Sequence, residues 1–159
     1  MDEMAKLLIF RLDQYSYALH LSQVDCVLRA VEAAPLPAAP GIVVGVFDLH
    51  GEIVSLLSLR KRLGLVLREV DVADVFIIGR TSRRVVGLQV DDVVGIIEHP
   101  VKRIVPGDQF CNSPFQIDGA IQLDDGLVLI QDLDRFLAAD EECVLDRVLG
   151  ELQVNAANQ

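Results

Sequence analysis

Apolar residues along this chain fall in short runs separated by turn formers, the texture of half-buried strands. "KLLIFRLD" (6–13) and "SYALHL" (16–21) flank Gln14-Tyr15 and predict a first hairpin. "SQVDCVLRAV" (22–31) predicts a strand entered through a short helical turn that Ser22 caps. "PLPAAPG" (35–41), with its three prolines, can be neither helix nor central strand and reads as a connector. "GVFDLHGEIVSLLSLR" (45–60) reads as strand, tight turn at His50-Gly51, and strand. "DVFIIGR" (74–80) and "RVVGLQV" (84–90) form a further pair, followed by "DVVGIIEH" (92–99), which Pro100 ends. Beyond a loop at 106–114 come "QIDGAIQL" (116–123) and "GLVLIQDL" (126–133). Only "CVLDRVLGEL" (143–152), apolar at 144, 145, 148, 149 and 152, carries helical spacing, and "QVNAANQ" reads as a frayed tail.

The chain also resembles itself. A shift of 74 positions lays "PGIVVGVFDLHGEIVSLLSLRKRL" (40–63) on "PFQIDGAIQLDDGLVLIQDLDRFL" (114–137) without a gap. Pro40 then meets Pro114, Gly45 meets Gly119, Leu49 meets Leu123, Val54 meets Val128, Leu59 meets Leu133, and Leu63 meets Leu137. Ser58 falls on Asp132, and both are good caps for the short helical run that follows. The repeat predicts two similar units, each a small curled sheet with the order strand, turn, strand, capped turn, and with the paired leucines buried.

Composition agrees with sheet. Valine (22) and isoleucine (11) together supply 33 of the 159 residues, and branched Cβ atoms suit a pleated surface. With aromatic residues at 5% and no Trp, the core must be aliphatic. At 159 residues the chain makes one domain, or two small units on one core. A net charge of −10 argues against nucleic acid, and no apolar run is long enough to span a bilayer. The start, "MDEMAKLLIF", lacks a signal peptide's basic segment, so the expected compartment is the cytoplasm. The basic clusters Arg60-Lys61-Arg62 and Arg83-Arg84 read as solvated. Cys26, Cys111 and Cys143 form no CxxC pair, which excludes a disulfide framework and a zinc site, and they read as buried small hydrophobes.

Catalytic chemistry finds no constellation. His20, His50 and His99 form neither HxH nor HExxH, and Ser55 and Ser58 sit in no nucleophile elbow. Asp91-Asp92 and Asp124-Asp125 lie at strand ends, where acids form turns. No glycine-rich phosphate loop is present, and no cofactor is expected.

The run "PGIVVGVFDLHGEIVSLLSLRKRLGL" resembles the CheW-like domain of bacterial chemosensory systems, through Pro40, Val43, Gly45, Val46, Leu49, Gly51, Ile53, Val54, Leu56, Leu57, Leu59 and Arg60. The family's opening is matched by Phe10, Tyr17, Leu19, Leu21 and Val24, and its later signatures by "VVGLQVDDVVGI" and "IDGAIQLDDGLVLIQDLDRFL". The resemblance covers residues 6–138 as one domain, leaving 139–159 as a C-terminal helix and tail. It implies a mainly β fold: two five-stranded SH3-like β-barrels on a shared hydrophobic core, with short helices. It implies a non-enzymatic scaffold coupling the cytoplasmic tip of a chemoreceptor to the regulatory domain of a CheA-type histidine kinase. By the same resemblance, partner contacts are expected at Val24, Cys26, Val44, Gly45, His50 and Gly51.

The departures bear on partner choice. His50 stands where members carry a hairpin-tip arginine, Asp48 where they carry asparagine, Ser55 and Ser58 where they carry proline and aspartate, and Cys26 where glutamate is frequent. Turn glycines and apolar positions are kept, so the fold expectation stands. Alternatives to the motility adaptor are a diverged adaptor of a non-motility chemosensory pathway and a small-molecule-binding β-module.

Overall fold

In the computed structural model, residues 3–107 and 117–157 are described, 153–157 as backbone only. The strands are β1 (Met4–Leu12), β2 (Tyr15–His20), β3 (Val24–Arg29), β4 (Val43–Leu49), β5 (Glu52–Leu57), β6 (Val75–Arg80), β7 (Val85–Val90), β8 (Asp92–Pro100), β9 (Val105–Pro106), β10 (Ile117–Leu123) and β11 (Gly126–Gln131). The helices are α1 (Leu59–Leu63) and α2 (Ala139–Ala157). They form a first sheet of six strands in the order β8-β1-β2-β11-β10-β9 and a second of five in the order β3-β6-β7-β5-β4. Two sheets and few helices meet the expectation of a mainly β fold. The count of five strands holds for the second sheet alone, and among the described residues no recorded pairing closes either sheet.

The repeated hairpins are real, but they are exchanged between halves of the chain. β4–β5 joins the β6–β7 hairpin through parallel pairing of Ser55, Leu56 and Leu57 with Val86, Gly87 and Leu88. β10–β11 joins β1–β2 through parallel pairing of Val128, Leu129 and Ile130 with Ser16, Tyr17 and Ala18. The edges cross in the same way, β3 pairing with β6 and β8 with β1. Each sheet thus draws on both halves, and the two sheets are interleaved along the chain.

Interleaving explains why the apolar runs are denser than strict alternation. On β1, Leu7 and Ile9 enter a cluster inside the first sheet with Ala18, Ile121, Val128 and Ile130. Leu8, Phe10 and Leu12 face the other way, into a core with Leu57, Leu59, Ile77, Leu88, Leu133 and Phe136 drawn from both sheets. A third cluster lines the second sheet around Phe47, Val54, Leu56, Phe76, Ile78 and Val85. β7 is buried at every position, because both of its faces meet a core.

The helical caps behave as the repeat predicts. Ser58 Oγ accepts from Lys61 N at 3.2 Å ahead of α1, and Asp132 Oδ1 accepts from Asp134 N at 3.0 Å ahead of a 3-10 turn at Leu133–Arg135. Leu59 and Leu133 are buried at 0% and 2% exposure, whereas Leu49 and Leu123 are only half-buried, since each ends a strand beside a hairpin tip. Ser22 caps nothing: it lies inside the 3-10 turn Leu21–Gln23, whose cap position is His20. α2 is longer than the amphipathic stretch 143–152 and docks Leu145, Val148 and Leu149 onto the core.

Gly45 and Gly119 are required by close backbone crossings. A Cβ on Gly45 would stand 2.5 Å from the carbonyl oxygen of Ala34, whose segment bridges Val46 across β4. A Cβ on Gly119 would stand 2.7 Å from Ile104 Cγ2 and 2.9 Å from the Val105 carbonyl oxygen, where β9 crosses β10. Gly45→Ala and Gly119→Ala are each expected to destabilise the fold by about 1–3 kcal/mol, the cost of forcing atoms into packed space. Urea unfolding of the two variants checks this, and unchanged midpoints would contradict the crossings.

Candidate functional site

The expected contact residues divide between two ends of the second sheet. At one end stands the His50-Gly51 turn between β4 and β5; Val24 and Cys26, which begin β3, fall in the rows of Val46 and Gly45, and Asp25 between them is linked to the residue after the turn through Arg80. Val44 and Gly45 begin β4 and belong to the other end, about 20 Å away along an extended strand. Six residues that looked like one surface form two patches.

At the tip, His50 is exposed with φ of +52°, and Gly51 has φ of +89°. Both residues therefore occupy the left-handed region that a two-residue hairpin turn demands, and histidine tolerates it better than branched residues do. Val24 is half-buried against the shared core. Cys26 is exposed, against the expectation of a buried cysteine, because β3 is an edge strand whose register slips between Val24 and Cys26. Cys143 is also exposed, on α2, and Cys111 lies outside the described residues. Between these pieces sits Arg80, at the end of β6. Its Nε lies 2.9 Å from Asp25 Oδ2, and its Nη2 donates to Glu52 Oε1 at 3.1 Å and Oε2 at 3.2 Å.

At the other end, Val44 is 40% exposed and Gly45 is buried in the backbone crossing described above. Val44 lines a cleft of about 350 Å³ with Ala30, Val31, Ala33, Val70 and Val72, rimmed by Glu32 and Asp71. Val31, Val70 and Val72 are exposed there, and Val66 and Leu67 extend the exposed apolar surface along the same loop. An exposed patch of aliphatic side chains with a polar rim is the composition of a protein-docking surface.

Ion pairs that sequence spacing concealed hold these surfaces on the core. Arg60 is buried at 5% exposure and donates through Nη1 and Nη2 to both carboxylate oxygens of Asp13, at 3.0 and 2.8 Å. Its Nη2 also reaches Asp91 at 2.9 Å, and Nη1 donates to the Val66 carbonyl oxygen at 3.1 Å. Arg68 forks onto Asp74 at 2.7 and 3.1 Å and also meets Asp91. Arg84, with 9% of its side chain exposed, pairs with Glu142 at 2.7 Å and with Asp146, while Arg62 pairs with Glu141. Of the basic residues read as solvated, Arg60, Arg62 and Arg84 are thus largely buried fixtures, while Lys61 and Arg83 are exposed as expected, and Asp91 is a cluster member rather than a turn former. Burial alone would raise Asp74 and Asp91. For Asp74, the Arg68 fork, the Asp71 backbone N–H and the Gln89 amide outweigh it and hold the carboxyl below its usual range. For Asp91, the backbone N–H of Asp13 and both arginines do the same. Among the described residues no group of three or more His, Cys, Asp or Glu could hold a metal ion.

Two interleaved sheets, two exposed patches and an ion cluster binding them to one core describe a docking module. Comparison with known proteins identifies its kind. The CheW-like domain model matches residues 6–141, and the chain belongs to the CheW-like domain family. It is 27% identical to the chemotaxis protein CheW of Rhizobium meliloti over 139 residues, covering 86% of this chain and 89% of that one. It is 26% identical to the chemotaxis protein CheW of Thermotoga maritima over 135 residues, covering 83% and 87%. The crystal structure of the scaffolding protein TtCheW from Thermoanaerobacter tengcongensis superposes with a TM-score of 0.75 at 26% identity, covering 84% of this chain and 90% of that one.

Both carboxylates are depressed, so their contribution is complete above the usual aspartate range near ~4 and is lost as pH falls through their folded values. Asp91→Asn is expected to cost about 2 kcal/mol at neutral pH, the scale of a charged hydrogen bond. The gap from the unchanged chain should narrow as the pH drops below about 4. Urea unfolding across that range tests this, and a gap that stays constant with pH would contradict it.

Proposed function

We propose that this chain is a non-enzymatic coupling adaptor of a chemotaxis-like pathway, acting in the cytoplasm without metal or cofactor. It joins the cytoplasmic tip of a chemoreceptor to the regulatory domain of a CheA-type histidine kinase. The observation that carries the reading is the family match across residues 6–141, supported by relatives named as chemotaxis and scaffolding proteins. Among the described residues, no helix is long and apolar enough to cross a membrane.

Residues 6–138 form the coupling domain in this reading, with 139–159 appended. Each sheet is further proposed to curl towards an SH3-like barrel. In support, the edge strands β8 and β9 of the first sheet are joined only by residues 101–104, part of them a 3-10 turn. In a flat sheet of six strands those edges would stand roughly 24 Å apart.

The kinase is assigned to the aliphatic cleft around Val44, and the tip carrying His50 to the receptor side. Val44→Glu is expected to weaken capture of the kinase regulatory domain at least about five-fold with an unchanged far-UV spectrum, as for a buried apolar contact. Undiminished capture would move the kinase elsewhere. His50→Arg restores a permanent forked donor at the tip, and is expected to tighten binding to a typical family partner about five-fold, the scale of one modest charged contact. Weaker binding of the chain's own partner to His50→Arg would favour the second reading, a diverged adaptor of a non-motility pathway, which the departures at Asp48, His50, Ser55 and Ser58 support.

A further inference from the structure

The two pieces of the tip patch stand on strands that are not neighbours. β6 and β7 lie between β3, which carries Val24 and Cys26, and β5, which follows the His50-Gly51 turn. No backbone ladder therefore joins the two pieces directly; they are related only through β6 and β7. Among the described residues, the Arg80 side chain bridges them directly. Arg80 reaches Asp25, in sequence between Val24 and Cys26, and Glu52, the residue after the turn glycine.

The sequence is arranged for this bridge. Register along β3 and β6 runs from Val24↔Gly79 to Cys26↔Ile78, so Asp25 is the extra residue of a bulge. A bulge re-aims the side chain of its unpaired residue, here towards the end of β6. Glu52 opens β5 and pairs with Leu49, which keeps it beside the tip. All three side chains are largely exposed, at 55% for Arg80, 41% for Asp25 and 52% for Glu52. Ion pairs this wet contribute little to the stability of a whole fold. Their effect is local: they select one placement of two exposed segments.

We propose that Arg80 is a positioning residue of the partner surface, clamping the start of β3 to the β4–β5 tip in the placement that a partner reads. The clamp deepens the adaptor reading and rests on it for the identity of the partner. A surface ordered beforehand loses less conformational freedom on binding, so the clamp acts on affinity more than on folding. The guanidinium matters here, because its planar Nε and Nη2 hold the two carboxylates in fixed directions, whereas the rotating ammonium of a lysine would attract both without fixing their placement.

Amide hydrogen exchange on the free chain tests the clamp without any partner. Arg80→Met is expected to speed exchange about two- to five-fold in both 22–28 and 48–54, with the melting temperature unchanged. Acceleration in neither segment, or in only one, would overturn the proposal. Affinity for the receptor tip and for the kinase regulatory domain is the second readout. Arg80→Met and Glu52→Gln are each expected to weaken the partner that docks at the tip by about three- to ten-fold, and the double variant no further than the worse single one. Arg80→Lys should recover only part of the loss. Losses that multiply in the double variant would make Arg80 a direct contact and overturn the positioning role. If the unchanged chain binds neither partner, the adaptor reading fails, while the exchange result still decides the clamp.

Discussion

The structure depends on the point where the chain passes from one sheet to the other. β7 ends at Val90 and β8 begins at Asp92, so Asp91 alone separates a strand of the second sheet from a strand of the first. Its backbone N–H donates to Arg11, and its carboxylate accepts from Asp13 N, Arg60 and Arg68. With no slack at this crossing, the two sheets hold a fixed relation, and the core between them can be filled tightly from both sides. Exchange of the hairpins follows from the same crossing. β8 must pair with β1, just as β3 must pair with β6, so neither half of the sequence completes a sheet without the other.

Local features were legible from the residues. Alternation, turn glycines and caps placed the hairpins, and the 74-residue repeat placed Gly45 with Gly119 and Ser58 with Asp132 at equivalent backbone crossings and caps. The long-range partners were not. Arg60 meets Asp13 from 47 residues away and Arg84 meets Glu142 from 58, and no spacing rule connects residues so far apart. Clusters of arginine read as solvated for that reason. The exchange was hidden too, since self-similarity reports that two segments fold alike and not which strands they join. The apolar residues around Cys26 suggest an interior strand, whereas an irregular register on a sheet edge turns it outward.

For the site, the family resemblance supplied six positions and the fold sorted them. Gly45 is held by packing, Val44 opens on an aliphatic cleft, and the His50-Gly51 turn is linked through Arg80 to the start of β3, which carries Val24 and Cys26. A scaffold needs surfaces that keep their shape while partners come and go. Strands buried on both faces, ion pairs anchoring α1 and α2, and short turns provide that stiffness, so binding orders little of the chain. Polar residues that form no catalytic constellation serve the architecture: Ser58 caps a helix, His50 shapes a turn and Asp91 holds two arginines.

The central claim is that this chain physically couples a receptor to a kinase through two patches of one rigid body. Co-sedimentation tests it most directly: membranes carrying a chemoreceptor are mixed with the kinase regulatory domain, with and without this protein. Coupling predicts that the kinase domain pellets with the membranes in proportion to the protein added, saturating as both patches fill. Equal recovery of the kinase domain in its presence and absence would contradict the account.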